Sequence, residues 1–222
     1  MSLNIQPAKN VKFLAGFFIL VALTFGCESS TPKAVALNGW FINIRSNFSN
    51  KAEDLPDQAE LKQDIEAKLL AVNNVFSTYI ESSEVSLLNA DKTTDWQNAS
   101  AEFLSLTQQA INISEMTMGV YDVTVGPLVN LWGFGPEFTE ADVPKGSDVQ
   151  QALTQIGYKN IVLDTEGGRL KKLNPDTYID FSSIAKGYGV DQVAAVLESK
   201  GYMNYMVEIG GEMRLSGINE EQ

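Results

Sequence analysis

Between Ile179 and Asp191 the chain reads Ile-Asp-Phe-Ser-Ser-Ile-Ala-Lys-Gly-Tyr-Gly-Val-Asp, which sets a carboxylate (Asp180), two hydroxyls (Ser182, Ser183) and an ammonium (Lys186) close together. The pattern reads as a strand running into Asp180 and a helix that begins near Ser183, with Lys186 in its first turn. A helix N-terminus presents unpaired amides and the positive end of the helix dipole, so such a junction suits an anion such as a diphosphate. Lys186 adds a mobile positive charge, and Asp180 can accept a hydrogen bond or orient a metal-bound group. The same residues also suit a helix capped by Ser182 or Ser183 beside a solvated lysine.

A second segment, Thr117 to Pro136, holds four Gly and two Pro together with Tyr121, Trp132 and Phe134. Glycine lets a backbone approach a ligand closely, and the aromatic rings offer flat surfaces for a planar group. Asp122 is the ionisable residue of the stretch. A buried, rigid turn with its aromatics in the core would use the same composition. A third segment, Val207-Glu208-Ile209-Gly210-Gly211-Glu212-Met213-Arg214, pairs glycines after a strand and offers two acids. These acids suit a metal, or solvent, or a partner such as Arg214.

Positioning these segments takes a mixture of helices and strands. Val35–Arg45 reads as a strand or hairpin around Asn38-Gly39. Asp54-Leu55-Pro56-Asp57 opens a helix whose apolar face is Leu61, Ile65, Leu69, Val72, Val75, Phe76 and Tyr79. A loop over Glu81–Asp95 precedes a second helix, Asn98 to Met118, which Gly119 stops. Residues 120–136 read as ordered, irregular backbone. A third helix spans Asp148–Ile156 and ends at Gly157. Strands are predicted at 160–163, 169–173 and 177–181, and a fourth helix runs from Ser183 to Lys200-Gly201. Met203, Tyr205, Val207 and Ile209 alternate with Asn204, Met206 and Glu208 as a strand does, and a last strand ends near Gly217. The order of elements indicates an α+β domain.

The chain has 222 residues, a formal charge of −12, no histidine and one cysteine. Its acidity argues against nucleic-acid binding, which depends on Lys and Arg neutralising phosphates. Without His, a His-based triad, a His zinc site and a haem His are excluded from these residues, and Cys27 alone makes no internal disulfide. Lys9 and Lys12 precede an apolar run from Phe13 to Gly26, shorter than the roughly 18–20 residues that cross a bilayer as a helix. The layout is that of a secretory signal over residues 1–26. The Gly26-Cys27 junction adds the expectation of a lipoprotein whose first mature residue, Cys27, is lipidated, followed by a tether over 27–34.

Taken in order, Thr-Met-Gly-Val-Tyr-Asp-Val-Thr-Val-Gly-Pro-Leu-Val-Asn-Leu-Trp-Gly-Phe-Gly-Pro from Thr117, Tyr-Ile-Asp-Phe-Ser-Ser-Ile-Ala-Lys-Gly-Tyr-Gly-Val-Asp from Tyr178 and Val-Glu-Ile-Gly-Gly-Glu from Val207 closely resemble the ApbE family of FAD:protein FMN transferases. Upstream, Phe-Ser-Thr-Tyr-Ile-Glu-Ser-Ser-Glu-Val-Ser-Leu-Leu-Asn, ending at Asn89, looks like that family's first helix and following loop. The resemblance covers the domain from residue 35 to 222. It implies an α+β fold with a T-fold-like core, incomplete at the C-terminus, and a bacterial lipoprotein held at the inner membrane and facing the periplasm. The implied activity is Mg²⁺-dependent transfer of FMN from FAD to a Thr or Ser hydroxyl on subunits of redox-pump and electron-transfer complexes, with AMP released. By motif position, Tyr79, Val120, Tyr121, Asp122, Asp180 and Lys186 would contact FAD, and Ser183 or the carbonyl of Ala185 would fall at the Mg²⁺ position.

The resemblance also implies features that differ here. Where the family shows Met-Gly-Thr on its first strand, this chain has Asn38-Gly39-Trp40-Phe41. The family continues for about another hundred residues, the size of a small domain, with a His-containing Asp-Pro-x-Thr-Gly segment and an Asp and Thr of the metal site. The expectation is that these 222 residues alone transfer no FMN. The alternative is an exported flavin-binding lipoprotein without catalysis, or an interaction protein in which the motifs serve packing.

Overall fold

The computed structural model describes residues 19–23, 33–37, 45–46, 58–135 and 143–217. They divide between two compact units, one formed by residues 64–189 and the other by 1–63 with 190–222. Cys27, most of the segment read as a signal, most of the tether and Asn38–Phe41 lie outside the described residues. Of the apolar run, β1 (Ile19–Leu23) is described, and it pairs antiparallel with β2 (Lys33–Leu37). Among the described residues no helix is long and apolar enough to cross a membrane.

In the unit of residues 64–189, α1 (Gln58–Phe76) buries Ile65, Leu69, Val72 and Phe76 along one face, at the spacing the sequence shows. The helix ends before Tyr79, which stands exposed in the following turn. The segment 81–95, read as a loop, contains a helix: α2 (Glu84–Ala90). Seven residues with Val85 and Leu88 as the buried apolar pair are too short to give a helical period. Ser83 caps α2 by accepting from the Ser86 amide at 3.2 Å, while its own hydroxyl donates to the Ser77 carbonyl at 2.6 Å.

β4 (Gln97–Asn98) follows, at the position read as a helix start, and α3 (Ala101–Met116) begins behind it, capped by Ser100 on the Phe103 amide. Met118 and Gly119 both take positive φ, +54° and +82°, and the Gly119 amide closes onto the Ser114 carbonyl at 2.7 Å. Gly119 thus ends the helix as its permissive backbone allows. Residues 120–136 are not wholly irregular, because α4 (Gly126–Leu131) lies within them with Pro127 in its first turn. α5 (Gly146–Leu153) starts two residues before its expected span and ends three residues before its expected end. β5 (Ile161–Asp164) and β6 (Arg169–Lys172) form a hairpin, and β4 pairs with the outer edge of β6.

The third expected strand, 177–181, belongs to no sheet among the described residues. It is extended, and it inserts Ile179 and Phe181 into the core beside Phe76, Phe103, Ile161 and Leu170. Phe181 meets Phe76 and Phe103 edge-on, at 5.1 and 5.2 Å between ring centres, an arrangement worth about 0.5–1.5 kcal/mol per pair beyond burial.

In the other unit, α6 (Ala185–Ser199), whose first turns belong to residues 64–189, buries Val190, Val193, Ala194 and Leu197. β7 (Tyr205–Ile209) alternates as expected, with Tyr205, Val207 and Ile209 buried, and pairs with β8 (Glu212–Ser216) and with β3 (Arg45–Ser46). Arg214 holds Asp191 and Glu198 at 3.0 and 2.9 Å, and the Tyr205 hydroxyl donates to Glu198.

Candidate functional site

Residues 117–135 and 178–189 meet within the unit of residues 64–189. The Tyr121 and Ser183 hydroxyls lie 3.1 Å apart, and the Asp180 amide donates to the Val123 carbonyl at 2.8 Å. Burial raises the pKa of the Tyr121 phenol above its ordinary value; the Ser183 bond opposes this, and the carboxylates of Asp122 and Asp180 add to it. Both acids therefore stand close enough to Tyr121 for their charge to act on it.

The two acids close the same kind of turn. Asp122 Oδ1 accepts from the amide and hydroxyl of Thr124 at 2.8 and 2.6 Å, and Asp180 Oδ1 accepts from the Ser182 amide at 2.8 Å and from the Ser182 hydroxyl. A carboxylate bonding the amide two residues on is the Asx turn, and Asp-x-Thr and Asp-x-Ser are its sequence signatures. Asp122 goes further: Oδ2 accepts from the Tyr158 amide at 2.8 Å, and Thr124 Oγ1 accepts from the Gly157 amide at 2.7 Å. The Asp122 carboxylate is thereby a clasp that ties the Gly-rich loop to residues 157–158. What this loop turns to solvent is Val120, which is 90% exposed, and Met118 at 92%.

Close approach is required at Gly126. A Cβ there would lie 2.3 Å from Cδ1 of Tyr178 and 3.4 Å from Cβ of Asp180. Gly126→Ala is expected to push the Tyr178 ring aside and to cost about 1–3 kcal/mol as an overpacking change, read as a lowered urea midpoint with an altered near-ultraviolet circular dichroism spectrum.

Lys186 is half-buried in the first turn of α6 and makes no ion pair or hydrogen bond among the described residues. That turn carries no acid. Ser183 is exposed and Ala185 half-buried. Among the described residues no three His, Cys, Asp or Glu are grouped to hold a metal. Tyr79 is exposed, and its amide donates to the Ser77 hydroxyl at 3.3 Å. Trp132 and Phe134 are both solvent-exposed. In the third segment Arg214 is committed to Asp191 and Glu198, and Glu212 is exposed.

Three residues to which motif reading gave no role support the site. Asn89 and Lys172 are buried polar side chains with long-range backbone partners, and Tyr178 packs over Gly126. A signal existed for Lys172: it stands two residues after buried Leu170 on the same strand, hence on the same face.

The segment 177–181, leading into a helix whose first turn carries the unpaired Lys186, is thus joined to a Gly/Pro-rich loop closed by an Asx clasp. Residues 39–222 match the ApbE family, and the chain belongs to that family. It is 40% identical over 200 residues to a Vibrio cholerae protein named FAD:protein FMN transferase, covering 90% of this chain and 59% of that one. With its Haemophilus influenzae namesake it is 38% identical over 216 residues, covering 95% and 62%. Among solved structures, the flavin transferase ApbE from Vibrio cholerae superposes with a TM-score of 0.77 at 40% identity, over 82% of this chain and 58% of that one. The apo flavinyl transferase ApbE of Pseudomonas stutzeri gives 0.72 at 33%, over 77% and 54%. The mixed helix-and-sheet fold expected from the sequence is thus that of these flavin transferases. The chain spans about 60% of the length of the curated relatives it matches.

Proposed function

We propose that this site takes FAD as its substrate and serves the transfer of FMN from FAD to a Thr or Ser hydroxyl of another protein. The carrying observation is the meeting of the two motif segments, hydroxyl to hydroxyl at Tyr121 and Ser183 and backbone to backbone at Val123 and Asp180. In the transfer the acceptor oxygen attacks the phosphorus nearer the flavin. One P–O bond forms, the P–O bond to AMP breaks, AMP leaves with that electron pair, and the hydroxyl proton passes to a base. Lys186 and the N-terminal end of α6 hold the diphosphate by charge. The Asx turns at Asp122 and Asp180 keep the two walls of the site in register.

Magnesium takes carboxylate and phosphate oxygens and keeps several waters. Ser183 and Ala185 offer two neutral oxygens, so the substrate's diphosphate must supply charged ones. When bound, Mg²⁺ neutralises the diphosphate and the departing AMP. Incubation with FAD, Mg²⁺ and an acceptor peptide tests the reading. FAD retained by the chain supports it, FMN mass on the peptide extends it to catalysis, and no flavin retention overturns it.

The reading extends to location and partners. The basic start, short apolar run and polar break at Cys27 support export with a lipid on Cys27, facing the periplasm at the inner membrane, where subunits of redox pumps and electron-transfer complexes are the acceptors. Labelling cells with a lipid precursor is expected to mark the protein, and Cys27→Ala to abolish the label. A label that survives the substitution contradicts the assignment.

A further inference from the structure

We propose that Asn89 is a positioning residue for this site: its buried carboxamide substitutes for a neighbouring strand along Ile179 and so fixes Asp180 and the start of α6. The inference rests on the flavin reading for its effect on binding, and on geometry alone for the positioning.

Residues 177–181 bury Thr177, Ile179, Asp180 and Phe181, yet pair with no strand among the described residues. A buried extended backbone needs partners for its amides and carbonyls. At Ile179 one side chain supplies both. Asn89 Nδ2 donates to the Ile179 carbonyl at 2.8 Å, and the Ile179 amide donates to Asn89 Oδ1, also at 2.8 Å. This is the reciprocal pair of bonds that an antiparallel neighbour makes at a hydrogen-bonded position. The next amide, Asp180, points the other way and is taken by the Val123 carbonyl. The segment is therefore gripped on both edges immediately before the Asp180–Ser182 turn that leads into α6.

Asn89 is itself held firmly. It lies in the last turn of α2, a helix too short to persist without tertiary support. Ser83 anchors one end of α2 to the Ser77 carbonyl. At the other end the Lys172 ammonium donates to the Leu88 carbonyl at 2.8 Å and to the Asp91 carbonyl. Only a short carboxamide offers one donor and one acceptor at this reach. Aspartate lacks the donor when ionised and regains it when protonated.

The test compares Asn89→Leu, Asn89→Asp and, as a control on the same helix, the buried-core variant Val85→Ala. Protection factors for amide hydrogen exchange are measured alongside FAD affinity in the 222-residue chain. At matched thermal stability, Asn89→Leu is expected to lower protection at Ile179–Ser183 and FAD affinity by about tenfold more than Val85→Ala, the effect of leaving buried backbone groups unpaired. In Asn89→Asp, protection at the same amides is expected to recover as the carboxylate is protonated at acidic pH. Should Asn89→Leu fail to fold, Asn89→Asp at two pH values decides the matter within one molecule. Equal loss of protection in the Leu and control variants, or no pH recovery in Asn89→Asp, overturns the proposal. A native chain that retains no FAD while protection responds as described overturns the flavin reading and upholds Asn89.

Discussion

Lys186→Ala is expected to lower FAD affinity by about ten- to a hundredfold, the range of a charge-assisted bond to phosphate, while the unfolding midpoint stays level or rises slightly. The two halves of this expectation come from one observation. A cation in the first turn of a helix opposes the helix dipole, and α6 has no acid in that turn to offset it. Lys186 has no partner among the described residues either. Its charge is thus a small liability to the unliganded fold and gains its counterpart only when an anion binds. The affinity deficit should shrink at high salt, because screening weakens the native contact more than the variant's. Equal affinity in the two proteins would remove Lys186 from the site.

Lys172→Met is expected to have the largest effect on stability, about 2–4 kcal/mol, since it strips the buried Leu88 carbonyl and the partly buried Asp91 carbonyl at the end of α2 of their donor. The side chain is fully buried, and burial, followed by the charge of Lys92, lowers its pKa below the ordinary 10.5. An unfolded lysine keeps its proton up to that ordinary value, whereas the folded one releases it earlier. Between the two values the unfolded chain binds more protons, so this residue's contribution to stability grows as pH rises and is lost as pH falls through the folded value. Tyr121, Tyr178 and Tyr188, all raised by burial, act in the opposite sense: they favour the fold below about pH 10 and lose that effect above it. Since both proteins share the tyrosines, the difference between them isolates the lysine. The deficit of Lys172→Met, read by urea unfolding, should widen as pH approaches 10.5; a deficit that does not change with pH would contradict the burial argument.

Legibility in the sequence followed the length and regularity of each element. The face of α1 and the alternation of β7 were readable because apolar residues repeat over several turns or pleats. Gly119 as a stop was readable because a left-handed position favours glycine. α2 escaped because seven residues are too few to show a helical period and bury only one apolar pair, and β4 because two residues carry no period. The run 177–181 has the pattern of a strand, but whether a strand joins a sheet depends on its partner, and here that partner is the side chain of Asn89. The site residues were legible as types rather than as roles. Tyr121, Ser183, Asp122 and Asp180 do converge, yet most of the Asp122 carboxylate's hydrogen bonding is spent on Thr124 and Tyr158. The Asp-x-Thr spacing was the clue to that clasp.

The most direct measurement is a titration of isotopically labelled chain with FAD, followed by amide resonances. The expected result is that shifts saturate together and concentrate at residues 117–125 and 180–188, with Lys186 among the most affected. Shifts confined to one of these segments, or lying mainly elsewhere, would mean that they do not form a single flavin site.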